Sequence, residues 1–145
     1  MSRPDIAKDY PLVLTTGTRI NAFFVSEQRQ VPSLRKMQPE PVATLHPDTA
    51  AQYGIRQGEW MYIETLRGRI VQKARVTEKM RPGVVNCQMG WWMPEKKDEP
   101  YFGLYDVNAN VLTTMEPPFD PAMGTYQLRG LLCRIGPEEK RTDEA

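Results

Sequence analysis

The sequence predicts a mainly β chain with short helices, closed into a small mixed barrel and not wound as an open parallel sheet. Three observations carry this expectation. Thirteen prolines are spread over 145 residues, and their recurrence from Pro32 to Pro121 excludes long helices and long central strands. The apolar segments are short, and one of them alternates with a period of two. Nor are regular long helices found between the apparent strands, as a doubly wound sheet would require.

Taken in order, residues 1–9 form a polar lead-in, and the first strand is expected over residues 11–15. "INAFFVSEQRQVPSLRKM" predicts one or two short helices, since Pro32 interrupts any continuous one. "PVATL" is a second strand. "HPDTAAQYGI" carries a strong helix signal. Pro47 suits the first helical position, Asp48 complements the positive end of the dipole, and Gly54 supplies a left-handed stop.

"EWMYIETLRGRIVQKARVTE" predicts a β-hairpin turning at "LRGR". On its return strand Ile70, Ala74 and Val76 share one face, while Val71, Lys73 and Arg75 share the other. A turn at Pro82–Gly83 leads to a strand at 84–87. Residues 88–121 predict a long loop, a length usually tied to function. A last strand is expected over 130–135, before a charged tail, 137–145, expected to be disordered. The domain proper is placed at 10–136.

Net charge is +1, which argues against general affinity for nucleic acid or an anionic membrane. No apolar run approaches the roughly 20 residues that span a bilayer. The opening "MSRPDIAKDY" has no apolar leader segment, so a soluble chain is expected, with the cytoplasm slightly favoured. Cys87 and Cys133 stand far apart, with no CxxC spacing, and read as two buried free thiols. One histidine, His46, flanks a helix start and leaves no material for a catalytic triad or a metal site. No catalytic residue and no protein metal ligand is assigned.

Three constellations remain. At the end of the first strand, "TTGTR" offers Thr16, Gly17, Thr18 and Arg19. These form either a plain turn with a solvated arginine or a concavity where backbone N–H groups, hydroxyls and a guanidinium converge on an anion. In "GWWMPE", Trp91 and Trp92 either pack into a core or offer a stacking face to a flat heterocycle. Asn108, Asn110 and Asp120 either make turns or present amide and carboxylate edges suited to a guanine or a pterin.

In this order, these pieces resemble the C-terminal molybdopterin-dinucleotide-binding domain of the dimethyl sulfoxide reductase family of molybdenum and tungsten enzymes. The resemblance runs from about Tyr10 to Ile135. It rests on "YPLVLTTGTR", on the long stretch from "HPDTAAQYGI" to "RPGVV", and on "NANVLT" followed by "DP" and Gly124. "GWW" and "LRGLLC" are most similar to the formate-dehydrogenase and acetylene-hydratase branch. The resemblance implies a double-psi β-barrel and a bis(molybdopterin guanine dinucleotide) cofactor carrying Mo or W. It implies that the cofactor is shared with other domains or a catalytic subunit, that this chain holds no iron–sulfur cluster, and that the isolated chain is inactive. It places Thr16, Gly17, Thr18, Arg19, Trp91, Trp92, Asn108, Asn110 and Asp120 at the cofactor. Relatives often carry histidines where this chain has Val25, Gln28 and Met89. A stand-alone cofactor-binding or assembly module is the alternative. A self-cleaving decarboxylase barrel is excluded, because none of Ser2, Ser26 and Ser33 follows a glycine.

Overall fold

The computed structural model describes residues 4–117 and 119–138. Six strands close into a barrel: β1 (Leu12–Thr18), β2 (Val42–Leu45), β3 (Trp60–Glu64), β4 (Arg69–Val76), β5 (Val84–Gln88) and β6 (Leu131–Pro137). The order around the barrel is β1-β5-β2-β4-β3-β6. β1 runs parallel to β5, and β2 parallel to β4; the remaining four contacts are antiparallel. Exchanging β1 with β4, β2 with β5 and β3 with β6 maps every pairing onto one of the same sense. Two crossed parallel pairs related in this way make the double-psi β-barrel.

The alternation read along residues 70–76 is real. Ile70, Gln72 and Ala74 are buried while Val71 and Lys73 are half-buried and Arg75 is exposed. Leu14, Leu45, Met61, Ile63, Val85 and Cys87 are fully buried, each such aliphatic side chain contributing roughly 1.5–3 kcal/mol by leaving water. Both cysteines are buried and free. A second apolar cluster (Ile20, Phe23, Trp91, Met93 and Val107) lies apart from this core.

The helix at "HPDTAAQYGI" forms as Pro47–Gln52, with His46 at the N-cap accepting the Asp48 N–H on Nδ1 at 3.1 Å. Gly54 follows at φ +67°.

Elsewhere the boundaries shift. β1 runs on to Thr18, because a bulge sets Thr15 opposite Asn86 and Thr18 opposite Gln88, and Gly17 at φ +91° absorbs the extra residue. Between 20 and 37 only Pro32–Met37 is helical; the preceding residues form turns. Residues 88–121 are more ordered than a loop, holding a helix at Leu104–Val107 and 3-10 turns at Pro100–Gly103 and Ala109–Leu112. β6 reaches Pro137, and Glu138 binds Arg69 at 2.8 Å. The rest of the expected tail, 139–145, lies outside the described residues.

The strand directions sort the connections. β1, β3 and β5 end at one rim, where β2, β4 and β6 begin. Residues 19–41, 65–68 and 89–130 leave from that rim, so every residue assigned to the cofactor sits on it or on a segment rising from it. The opposite rim carries the Pro47–Gln52 helix and the turn at 77–83.

Candidate functional site

The end of β1 is built by three chain segments. Thr16 donates its hydroxyl to the Leu128 carbonyl at 2.5 Å, which fastens residues 127–130 over the strand end. Thr18 donates to Asn86 Oδ1 at 2.6 Å, and the Met89 N–H reaches the Thr18 carbonyl at 3.3 Å. Two of the threonine hydroxyls are thus committed to holding the rim together. Gly17 lies between them, and a Cβ built on it would stand 3.1 Å from Nη2 of Arg129.

Arg129 was not singled out from the sequence, although it stands in "LRGLLC"; nothing local showed that its guanidinium returns to the first strand. Arg19 is exposed on the same strand end. Neither arginine has a hydrogen-bond or ion-pair partner among the described residues. The Arg129 guanidinium at the Gly17 bulge, with Arg19 two residues further along the chain, offers donors suited to a polyanion, and a diphosphate has the charge and the acceptor oxygens to satisfy both.

The double tryptophan divides. Trp91 is fully buried, edge-on to Phe23 at 5.8 Å between centroids, with Nε1 bonded to Gln88 Oε1 at 3.0 Å. Its ring faces are spent on packing and offer no surface for stacking. Trp92 is half-buried, donates to the Ser26 carbonyl at 2.6 Å and meets Phe102 edge-on at 5.6 Å.

The late polar residues divide as well. Asn108 is 5 % exposed, donating from Nδ2 to the Trp91 carbonyl at 2.9 Å while Oδ1 caps the next turn at the Asn110 N–H, 3.0 Å away. Both ends of its amide therefore perform structural work. Asn110 is exposed, and its carboxamide is unpartnered among the described residues. Asp120 is exposed and makes turn chemistry: Oδ1 accepts the N–H groups of Ala122 at 3.0 Å and Met123 at 2.7 Å. Of the residues named in advance, Arg19 and Asn110 keep their hydrogen-bonding groups free.

Among the described residues, two hollows lie beside this rim. One lies between the 112–116 and 127–132 segments and Thr65–Arg67; the other lies beside Arg29 and Arg35. Neither is lined by a residue predicted for the cofactor. Among the described residues no group of three His, Cys, Asp or Glu side chains is placed to hold a metal ion. No described helix is long and apolar enough to cross a membrane.

Residues 12–132 match the family model described as a molydopterin dinucleotide binding domain. The chain is 40% identical over 131 residues to dopamine dehydroxylase of Eggerthella lenta, covering 90% of this chain and 13% of that protein. It is 36% identical over 134 residues to acetylene hydratase of Syntrophotalea acetylenica, covering 90% of this chain and 18% of that one. The solved structure of acetylene hydratase from Pelobacter acetylenicus superposes with a TM-score of 0.87 at 32% identity, over 93% of this chain and 19% of that chain. The chain therefore spans less than a fifth of the length of these relatives.

Proposed function

We propose that this chain, which belongs to the molybdopterin-dinucleotide-binding domain family, grips the guanine dinucleotide end of a bis(molybdopterin guanine dinucleotide) cofactor within a larger molybdenum or tungsten enzyme. The observation that carries the reading is the Arg129 guanidinium at the Gly17 bulge with Arg19 two residues along the chain, neither side chain having a partner among the described residues. Arg19 and Arg129 would clamp the diphosphate. Gly17, lacking a Cβ, would let the Arg129 guanidinium lie against the bulge, and Asn110 would offer its amide to a base or pterin edge. Thr16 and Thr18 would hold the rim in shape, and Trp92 with Asp120 would flank it. Trp91 and Asn108 would act beneath the surface, by fixing the loops that meet the ligand. When bound, the metal and its pterins supply the redox chemistry. This chain supplies binding and orientation, and by itself would turn nothing over.

The share of each relative that is matched favours a domain of a longer enzyme over a stand-alone module docking on a separate catalytic subunit. The length of the intact reading frame separates the two. In the complete enzyme, Arg19→Ala is expected to lower molybdenum or tungsten content per protein, measured by elemental analysis. Metal content equal to that of the unaltered enzyme would overturn the clamp.

A further inference from the structure

We propose that the hollow beside Arg29 is a binding site for one carboxylate group, which would pair with the buried Arg29 guanidinium, whose Nε–H has no partner. The residues lining the hollow lie on segments that leave from the same rim, but none of them is a residue assigned to the cofactor, so the inference does not rest on the cofactor reading.

Arg29 is 1% exposed. Its guanidinium lies 4.2 Å from the Phe23 ring centre and 4.9 Å from that of Trp91. Nη1 donates to the Glu27 carbonyl and Nη2 to the Val25 carbonyl, each at 2.9 Å. Nε is buried and has no partner. Among the described residues no carboxylate pairs with this cation. Carbonyl dipoles and ring faces offset part of a buried charge, but a buried guanidinium ordinarily acquires a counter-ion. Burial, with Arg35 adding repulsion, pulls its pKa down to about 10.

The hollow has a volume of about 540 Å³ and is lined by Arg29, Arg35, Glu40, Met93 and Glu95, among others. Its other charges cancel. Arg35 binds Glu95 at 2.9 Å, and Glu40 binds Lys73 at 2.6 Å. One positive charge is left over, on the residue with the free N–H. The carboxylates of Glu40 and Glu95 in the wall would repel a phosphate dianion more strongly than a monoanion. A carboxylate is singly charged and planar, and matches a guanidinium edge. It has two sources: a small free acid, or a Glu or Asp side chain from a further polypeptide segment.

The test is a ¹⁵N–¹H spectrum of the 145-residue chain, in which the Arg29 Nε–H is identified by its loss in Arg29→Lys. Sodium acetate and the capped peptide acetyl-Gly-Glu-Gly-amide, whose only carboxylate is the side chain, are titrated at constant ionic strength. The Arg29 Nε–H should shift saturably while the other arginine signals stay in place, and Arg29→Lys, followed through the backbone N–H of residues 25–29, should bind about tenfold more weakly. Tighter binding of acetate identifies a free acid, and tighter binding of the peptide identifies a protein side chain. No shift with either ligand up to about 100 mM, or an equal shift with chloride, would overturn the site. If Arg29→Lys does not fold, the Nε–H is assigned by its through-space contacts to the Phe23 and Trp91 rings, so the wild-type readout stands.

Discussion

Gln72 binds Gln88 as though it were a neighbouring strand: its Oε1 accepts the Gln88 N–H at 3.1 Å, and its Nε2 donates to the Gln88 carbonyl at 3.0 Å. β4 and β5 are not adjacent, since β2 lies between them, so a side chain does what backbone cannot. Nε2 also reaches the Val107 carbonyl at 3.1 Å. The Gln88 carboxamide in turn accepts from Trp91 Nε1 and from the Val42 N–H. This amide pair ties two strands to the loops at 88–92 and 107–108 that rise from the site rim.

Gln72→Leu should therefore be costly although it adds apolar area to a buried position. It strands an N–H and two carbonyls, and a loss of about 2–4 kcal/mol is expected. Urea unfolding measures it. A change below about 0.5 kcal/mol would show that water replaces the amide.

Gly17→Ala tests the bulge. The neighbouring atom, Arg129 Nη2, ends a flexible side chain and can yield a few tenths of an ångström, so the backbone at φ +91° sets the cost. Destabilisation of about 1–2 kcal/mol is expected. In the complete enzyme it should lower metal content along with Arg19→Ala.

Arg129→Ala should separate binding from folding. The side chain is exposed and forms no ion pair among the described residues, so stability should change by no more than about 0.5 kcal/mol. Cofactor retention in the complete enzyme should fall. Retention at the unaltered level would leave Arg19 as the sole clamp.

The two thiols predict a pH dependence. Burial pushes Cys87 and Cys133 up from 9.0 to about 12, so the folded chain keeps both protonated where the unfolded chain has begun to lose them. The stabilisation from these groups is fully present below the unfolded value and declines between about pH 9 and 12. In native protein at pH 8 neither thiol should react with Ellman's reagent, whereas both should react in denaturant. Prompt native reaction would refute the burial argument.

The sequence by itself determined the local structure. Pro47 and Gly54 bound a helix, "LRGR" turns a hairpin, and alternation along 70–76 chooses an inward face, because caps, turns and period two are properties of a few consecutive residues. It also determined the family, because an ordered series of such pieces is more specific than any one of them. Tertiary structure decided which polar groups remain available. Asn108 and Trp91 look like ligands in the chain but are consumed by Gln88, by Asn110 and by each other, contacts up to 17 residues away. Arg129 looks ordinary until β1 and β6 pair and bring it over Gly17. Arg29 looks like one more solvated charge until Phe23 and Trp91 close on it. Whether a donor is free depends on where distant segments meet, and that is set by barrel closure.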